Sequence, residues 1–347
     1  MTQNMMKAAM FTEMGKVEMQ QMPRPTLGKG EVLVKVEACG VCATDVKAIL
    51  KGHIVFKPPR VLGHEIAGHV VEVNGTSCQA VGNRVVVAPY VPCGHCYFCY
   101  RNEETMCENL LDAGPHPGGF AEYVRCPAPL AERGLIPIPA GLSSTVASLA
   151  EAIACAIRAV RDSHVTPGSC VVVVGDGPMG MINAAVARAY GAEPVILSGM
   201  VPHRLEIAAR HYADITVDIS QEKLEEVVKE TTDGHGADVV IVAVPAVAAV
   251  RQGMTLARRG GTVNVFAGQP NGSIMELDLA TLHYNELNIT GNFGSSSVTL
   301  HEALRLAASG RIDFAPIVTR EFALADLMKA VDYSVAMEGL RSVVVME

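Results

Sequence analysis

A glycine-rich stretch in the middle of the chain constrains the fold more than any other feature. It reads "CVVVVGDGPMG" and continues as "MINAAVARAYGA", so a buried strand runs into Gly175-x-Gly177-x-x-Gly180 and then into a helix. In such a unit the first glycine makes a tight turn, the second lets a pyrophosphate approach the backbone, and the third allows close helix–strand packing. The stretch predicts a dinucleotide site at the helix N-terminus, with Pro178 and Met179 in the same turn.

Strand-like and helix-like stretches alternate after the glycines. In order they read "PVILS", "RLEIAARHY", "ITVD", "KLEEVVKE", "DVVIVAV" and "GTVNVF". Strands that are separated by helices pair in parallel and bury both faces of their sheet. The alternation therefore predicts an α/β fold with a doubly wound parallel sheet.

The second of these strands lacks a residue that NAD-binding units commonly carry. An aspartate or glutamate about 20 residues after the glycines usually holds the ribose 2′-hydroxyl. Here Ser198 and Gly199 end the strand, and "VILSGMVPHR" contains no carboxylate. A small neutral strand end with Arg204 nearby is compatible with a 2′-phosphate, although a solvent-facing or capping role explains Arg204 equally well. NAD and NADP both remain open, with these three residues as candidate contacts.

Four of the ten cysteines are clustered within fifteen residues. Cys93, Cys96, Cys99 and Cys107 follow the spacing C-x2-C-x2-C-x7-C. Four thiolates at such spacing close a tetrahedral shell around Zn²⁺ and leave no position for water, which is typical of a structural zinc site. An iron–sulfur cluster is the alternative, but the nearby C-P and second cluster run of ferredoxins do not occur. We expect nearby aromatic residues, Tyr97, Phe98 and Tyr100, to cover the sulfurs.

A second set of metal-ligand types lies upstream, where strand-like runs meet turns. "CGVCATD" offers the thiolate of Cys42, and "LGHEIAGH" offers His64 and Glu65. Glu151 begins a helical pattern, and its carboxylate is costly to bury among Ala and Leu without a partner. Three protein ligands and one open position are the pattern of a catalytic zinc. Cys155, one helical turn after Glu151, is a rival ligand.

Composition excludes several other classes of protein. The formal net charge is −8 and no block of Lys or Arg follows the chain, so nucleic acid is a disfavoured partner. No apolar run reaches the length of a membrane span, and the first residues lack a signal-peptide pattern, so we expect a cytoplasmic protein without a membrane partner. In that reducing location clustered cysteines bind metals more often than they form disulfides.

Together these motifs resemble the zinc-dependent medium-chain alcohol/polyol dehydrogenase family, with sorbitol/L-iditol and threonine dehydrogenase-like branches. The resemblance runs nearly end to end, through "GEVLVKVEACGVCATDV", "VLGHEIAGHVVEVN", "VGNRVVV", "GGFAEYV", "GDGPMG" and "EGLRSVVV". It implies a GroES-like, mainly β catalytic domain over residues 1–153, to which residues 290–347 return. A Rossmann dinucleotide-binding domain is implied over residues 154–289.

The resemblance also implies roles for the upstream set of ligands. Cys42 and His64 correspond to ligands of the catalytic zinc, and Glu151 stands where the polyol branch has a glutamate. Ala152 replaces the proline that usually follows it. Glu65 corresponds to a carboxylate that ligates zinc in some members.

Further residues carry over to proton transfer and cofactor binding. Thr44 corresponds to the hydroxyl that takes the substrate proton, and Asp45 to a partner of the ligand histidine. Arg341 corresponds to an arginine that binds pyrophosphate. Many members have a relay histidine where this chain has Lys47, and His53 is a candidate substitute.

The implied activity is hydride transfer between NAD(P) and a secondary alcohol of a polyol or sugar-derived substrate, with one catalytic and one structural Zn²⁺ in each chain of a homotetramer or homodimer. A dehydrogenase of L-threonine or another hydroxy substrate is the alternative. Lys47, Lys57 and Arg60 are positioned between the ligand motifs for an anionic substrate group, although solvated positions are the simpler interpretation. A zinc-free quinone or enoyl reductase should lack Cys42 and His64, and an NAD(P)-sensing protein should lack the Cys42/Thr44 pair.

Overall fold

The computed structural model describes residues 5–346 and divides into two compact units. The first unit comprises Met1–Glu151, Ser295–Gly310 and Val318–Glu347, and the second comprises Ala152–Gly294 and Arg311–Ile317. Within the described residues no helix combines the length and the apolar character that crossing a lipid bilayer requires.

Strands supply the framework of both units. In chain order they are β1 (Met5–Glu13), β2 (Lys16–Pro23), β3 (Val32–Gly40), β4 (Arg60–Val61), β5 (Glu65–Val73), β6 (Arg84–Val87), β7 (Tyr123–Cys126), β8 (Leu135–Pro137), β9 (Val171–Val174), β10 (Val195–Gly199), β11 (Ile215–Asp218), β12 (Ala237–Val242), β13 (Ala257–Val265), β14 (Asn288–Gly291), β15 (Val318–Ala323) and β16 (Arg341–Val345).

Helices connect the strands. They are α1 (Ala43–Lys51), α2 (Tyr97–Tyr100), α3 (Ala128–Arg133), α4 (Ser144–Ala147), α5 (Ala150–Asp162), α6 (Pro178–Ala189), α7 (Pro202–His211), α8 (Leu224–Thr231), α9 (Val247–Leu256), α10 (Leu279–Tyr284), α11 (Ser297–Ala308) and α12 (Leu327–Val335). Short 3₁₀ turns lie at Glu104–Met106, Ala315–Ile317 and Leu324–Asp326.

The second unit is built on one parallel sheet, whose strand order is β11-β10-β9-β12-β13-β14. The four valines of β9 are buried because helices cover both faces of a parallel sheet. From β9 the chain moves outward through β10 to β11 and then crosses back to β12. This reversal creates a switch point at the carboxyl ends of the central strands, where doubly wound sheets bind their ligands. The predicted α/β class with a doubly wound parallel sheet is confirmed.

The first unit is mainly β, as predicted. Its larger sheet has the order β15-β16-β3-β5-β6-β8, with β7 also paired to β3, and its smaller sheet has the order β2-β1-β4. The last strand, β16, runs antiparallel to β3, so the end of the chain is part of the same sheet as its beginning.

Helix α5 follows the 3.6-residue pattern on which it was predicted. The residues of that pattern that it buries are Ile153, Ala156, Ile157 and Val160. Glu151, in its first turn, is only partly buried. The apolar stripe thus fixes the orientation of the helix and leaves its acidic N-terminal residue at the border of the core.

Candidate active site and metal centres

The register of β3 and β5 brings two distant segments together. These strands are antiparallel, and Gly40 is paired with Glu65. Cys42 lies two residues beyond this pair on one strand, and His64 lies one residue before it on the other. The thiol and the imidazole therefore meet at one end of the pairing, although 21 positions separate them in the sequence.

Asp45 fixes the two turns that carry these groups. It is 2 % exposed, and its carboxylate accepts hydrogen bonds from the backbone N–H of Cys42 and of Gly63, each at 3.2 Å. The ring Nδ1 of His64 lies 3.4 Å from the same carboxylate. A proton on Nδ1 that faces Asp45 leaves Nε2 with its lone pair for a metal.

The resulting cluster is suited to a divalent cation. The donor atoms of Cys42, His64 and Glu65 all lie within 4.8 Å of one another. Glu65 is 1 % exposed, and neither of its carboxylate oxygens makes a hydrogen bond to the part of the chain that the structure describes. A buried carboxylate needs a compensating charge. Arg341 supplies one at 3.1 Å from Oε1, and a metal beside the cluster would supply another.

The charges around the cluster shift its pKa values in the directions that crowded anions produce. Burial raises the pKa of Glu65, and the negative charge of Glu151 adds to this, while Arg341 and His64 oppose it. Burial lowers the pKa of His64, but the charges of Asp45 and Cys42 outweigh it and raise the pKa well above its ordinary value. The site attracts positive charge, as a zinc centre with thiolate and carboxylate ligands must.

Glu151 acts on the same cluster from the start of α5. Its negative charge helps to raise the pKa of Glu65. The pKa of Arg341 is raised by Glu65 and Cys42 and, to a smaller extent, by Glu151. Glu151 therefore lies within electrostatic reach of both residues. Glu151 is not one of the donors that lie within 4.8 Å of one another; the carboxylate in that group belongs to Glu65. Glu151 as a zinc ligand, and Cys155 as its rival, stay predictions.

The residues predicted for proton transfer lie on α1 and on the loop that follows it. Thr44 is partly buried in the first turn of α1, and Lys47 is exposed one turn later. The Nδ1 atom of His53 accepts the backbone N–H of Val55 at 3.2 Å and of Phe56 at 3.3 Å. Burial lowers the pKa of His53, and the charge of Lys47 lowers it further, so the two predicted relay groups are electrostatic neighbours.

The four clustered cysteines form a second donor set. Their sulfurs all lie within 4.8 Å of one another, and the structure contains them as free thiols. A hydrogen bond from the backbone of His95 lowers the pKa of Cys93 to about 6, whereas burial raises the pKa of Cys99 to about 12. A cation among the sulfurs is what allows all four to be thiolates together, and the donor set fits a closed zinc site.

The aromatic cover of this lobe differs from the prediction. Phe98 packs against Leu110 and the buried cysteines, together with Tyr90. Tyr97 and Tyr100 are 62 % and 76 % exposed and do not shield the sulfurs, because α2 is a single turn with one inward face.

The glycine-rich turn has the shape that a dinucleotide requires. Gly175 has φ +121°, where side chains are strained, and a Cβ on Gly180 would lie 1.8 Å from the carbonyl oxygen of Gly175. A Cβ on Gly177 would meet no protein atom within 4 Å, so that side of the turn is open for a phosphate. Pro178 starts α6, whose N-terminus faces this space with the N–H groups that bind anions.

The structure also brings forward a residue that the sequence analysis missed. Asp176, between the first two glycines, accepts the backbone N–H of Met200 and of Val201, each at 2.8 Å. A carboxylate therefore does lie at the end of β10, next to Gly199. Arg204, in the first turn of α7, is only 5 % exposed, so its side chain is buried and does not face solvent. The sequence of β10 contains no sign of this carboxylate, because it belongs to the turn after β9.

A mainly β unit with a thiolate–imidazole–carboxylate cluster and a four-cysteine lobe, next in the chain to a doubly wound sheet, defines a zinc dehydrogenase. Residues 28–140 match the model of the alcohol dehydrogenase GroES-like domain, and residues 178–309 match the model of the zinc-binding dehydrogenases. The chain belongs to this family, and the resemblance read from its motifs is confirmed. It is an enzyme of the NAD(P)-dependent zinc alcohol/polyol dehydrogenase class.

Individual relatives cover almost the whole chain. Sorbitol dehydrogenase of Bacillus subtilis is 31 % identical over 333 residues, which are 94 % of this chain and 93 % of that enzyme. L-threonine 3-dehydrogenase of Pyrococcus horikoshii is 32 % identical over 324 residues, 91 % of each chain. Among solved structures, a zinc-binding dehydrogenase of Sinorhizobium meliloti 1021 bound to NADP has a TM-score of 0.91 at 32 % identity and covers 99 % of this chain and 100 % of its own.

We expect the purified enzyme to contain two zinc ions per chain, one for each donor set. Cys99→Ser should lower the content to about one and lower the thermal unfolding midpoint, because binding of structural zinc is coupled to folding. Cys42→Ser is the matched control, which should lose the other ion and the activity while the lobe stays folded. Elemental analysis with calorimetry checks this. A wild-type enzyme with one zinc, or with iron and visible absorbance, would contradict it.

The helix-borne ligand can be identified by two substitutions in α5. Glu151→Gln should lower kcat/KM by roughly 100-fold or more and weaken retention of the catalytic zinc, because the carboxylate charge is lost. Cys155→Ala, one turn later, should retain most of the activity and the zinc. Steady-state kinetics with zinc analysis on both variants decides the matter, and the opposite pattern would move the ligand by one helical turn.

Proposed function

We propose that this enzyme interconverts a secondary alcohol of a polyol or sugar-derived substrate and the corresponding ketone, with NAD(P) as hydride partner. The observation that carries this proposal is the donor set of the first unit, in which Cys42 and His64 are accompanied by carboxylates. Glu65 lies in the cluster and Glu151 lies within its electrostatic reach. The similarity to sorbitol dehydrogenase of Bacillus subtilis supports the same class of substrate.

Cys42, His64 and Glu151 would hold the catalytic zinc, and Glu65 would approach it from the same cluster. When bound, zinc polarises the substrate hydroxyl and nicotinamide accepts the hydride. Asp45 holds His64 in one orientation, and it also holds the turn of Cys42, so the two donors keep their separation. Arg341 neutralises part of the charge of Glu65 through the 3.1 Å ion pair.

Proton transfer is assigned to α1 and the loop after it. The hydroxyl of Thr44 accepts the substrate proton and passes it outward. Lys47 is exposed, and the two N–H groups that His53 accepts at Nδ1 leave its Nε2 for exchange with water. The charge of Lys47 lowers the pKa of His53, so the two groups lie near each other, and we assign the outer position of the relay to one of them.

A dehydrogenase of L-threonine or another anionic hydroxy substrate is the second candidate. The relative from Pyrococcus horikoshii, which is an L-threonine 3-dehydrogenase, supports it. So do the exposed cations Lys47 and Lys57 between the two ligand motifs. Arg60 is less suited, because its guanidinium lies 5.0 Å above the ring of Phe56.

A homodimer or homotetramer in the cytoplasm is part of the same proposal. Its support is the family resemblance and the clustered cysteines, which fit a metal site of the kind that reducing compartments favour. Light scattering on the purified enzyme tests the assembly directly.

The substrate class is tested with a panel of polyols, L-threonine and primary alcohols, each with NAD and with NADP. We expect kcat/KM for the best polyol to exceed that for L-threonine by at least about tenfold, because a site shaped for one hydroxyl pattern rejects another when polar groups lose their partners. If L-threonine is the best substrate, the second candidate replaces the first. Activity confined to primary alcohols would contradict both.

Thr44 offers a test of the relay that is independent of substrate identity. Thr44→Ala should lower kcat by roughly 10²- to 10⁴-fold, the usual contribution of a positioned proton-transfer group, with zinc retained. Thr44→Ser should recover much of the rate, since it keeps the hydroxyl. Equal loss in both variants would assign Thr44 a packing role and place the relay elsewhere.

A further inference from the structure

We propose that Asp176 is the residue that selects NAD over NADP, because its carboxylate occupies the position at the end of β10 where such enzymes recognise the ribose 2′-hydroxyl. The inference rests on the dinucleotide site assigned to the glycine-rich turn. It does not depend on the identity of the alcohol substrate.

The two carboxylate oxygens of Asp176 have different surroundings. Oδ2 accepts the N–H groups of Met200 and Val201, both at 2.8 Å, and this anchors the side chain at the start of the loop between β10 and α7. Oδ1 makes no hydrogen bond to any group within residues 5–346. Asp176 is partly exposed, so this second oxygen is an anchored acceptor that a ligand hydroxyl can reach.

The carboxylate of Asp176 lies where a side chain on Gly199 would have to be. A Cβ built there would lie 2.3 Å from both Cβ and Oδ2 of Asp176, and 2.4 Å from its Cγ. The carboxylate of Asp176 therefore fills the place from which an aspartate at the end of the second strand would extend. The absence of an acidic residue at position 199 and the presence of one at position 176 are two parts of a single arrangement.

The placement relative to the phosphate site follows from the sheet. Asp176 lies between Gly175, which directly follows β9, and Gly177, whose open side is assigned to pyrophosphate. Strands β9 and β10 are parallel neighbours, so their carboxyl ends lie at one edge. In doubly wound folds the adenosine ribose lies at the end of the second strand. A ribose that follows the pyrophosphate to this point meets Asp176.

The local charge disfavours a 2′-phosphate. Such a phosphate brings about −1.5 to −2 units of charge at neutral pH, next to a carboxylate that is fixed by two backbone bonds. Asp218, which is paired in register with Gly199, has its carboxylate engaged in its own turn, where Oδ1 accepts the backbone N–H and the hydroxyl of Ser220 at 2.9 and 2.6 Å. Arg204, the cation that the sequence offered to a phosphate, is buried in α7. The S. meliloti relative was solved with NADP, so the fold by itself does not exclude a 2′-phosphate.

Binding measurements on the folded enzyme test the proposal without turnover. NADH and NADPH are titrated by fluorescence, and 5′-AMP and adenosine 2′,5′-bisphosphate by calorimetry, because the last two differ only in the 2′-phosphate. In each pair, we expect the wild-type enzyme to bind the compound that lacks the 2′-phosphate at least about tenfold more tightly. Equal affinities within both pairs would overturn the proposal, and this test needs no variant.

Three variants separate recognition from a purely structural role. Asp176→Asn keeps one acceptor for the loop and removes the charge, so the NADPH-to-NADH ratio of Kd should fall by about tenfold. The double variant Asp176→Gly/Gly199→Asp moves the carboxylate to the strand and should restore the preference for NADH. Asp218→Asn is the matched control and should leave the ratio nearly unchanged. If Asp176→Asn weakens both cofactors equally, Asp176 only shapes the loop and the proposal is wrong.

Discussion

The catalytic cluster depends on one buried carboxylate, that of Asp45. Asp45 accepts an N–H from the turn after β3 and from the turn before β5 and faces the ring of His64, so one side chain fixes the separation of two donors from different segments. Because hydrogen bonds to a charged acceptor are among the stronger ones, removing this carboxylate would leave two buried N–H groups unpaired as well. The metal-binding geometry is thus prepared by the fold.

The second constraint is the buried ion pair between Glu65 and Arg341. Arg341 also donates a hydrogen bond to the carbonyl oxygen of Val41, 300 residues away in the chain, at 3.1 Å. The last strand, β16, therefore contributes a positive charge that contacts the cluster built by the first third of the chain. Breaking a buried pair leaves an uncompensated charge, which is far more costly than the pair itself is favourable. Arg341 was predicted to bind pyrophosphate, and that role stays a prediction beside the observed contact with Glu65.

In each unit a carboxylate accepts backbone hydrogen bonds from a strand end in another part of the chain. Asp45 does so for the turn before β5, and Asp176 does so for the loop after β10. Each uses backbone N–H groups as its anchor, so the anchoring is insensitive to the side chains it contacts. Asp45 orients the ring of His64, and Asp176 occupies the space that a side chain at Gly199 would need.

The sequence by itself determined the fold class and the family. Hydrophobic periodicity and turn glycines are local, and the four cysteines lie within one loop, so their meaning survives without coordinates. The two upstream motifs also identified Cys42, His64 and Glu65 as candidate ligands, and these three do come together. Tertiary structure alone decided what crosses between strands: which carboxylate lies within the cluster, what neutralises it, and why position 199 must be glycine. Spatial proximity of residues such as Asp176 and Gly199 arises from parallel strand pairing, and no pattern along one strand records what a neighbouring turn places beside it.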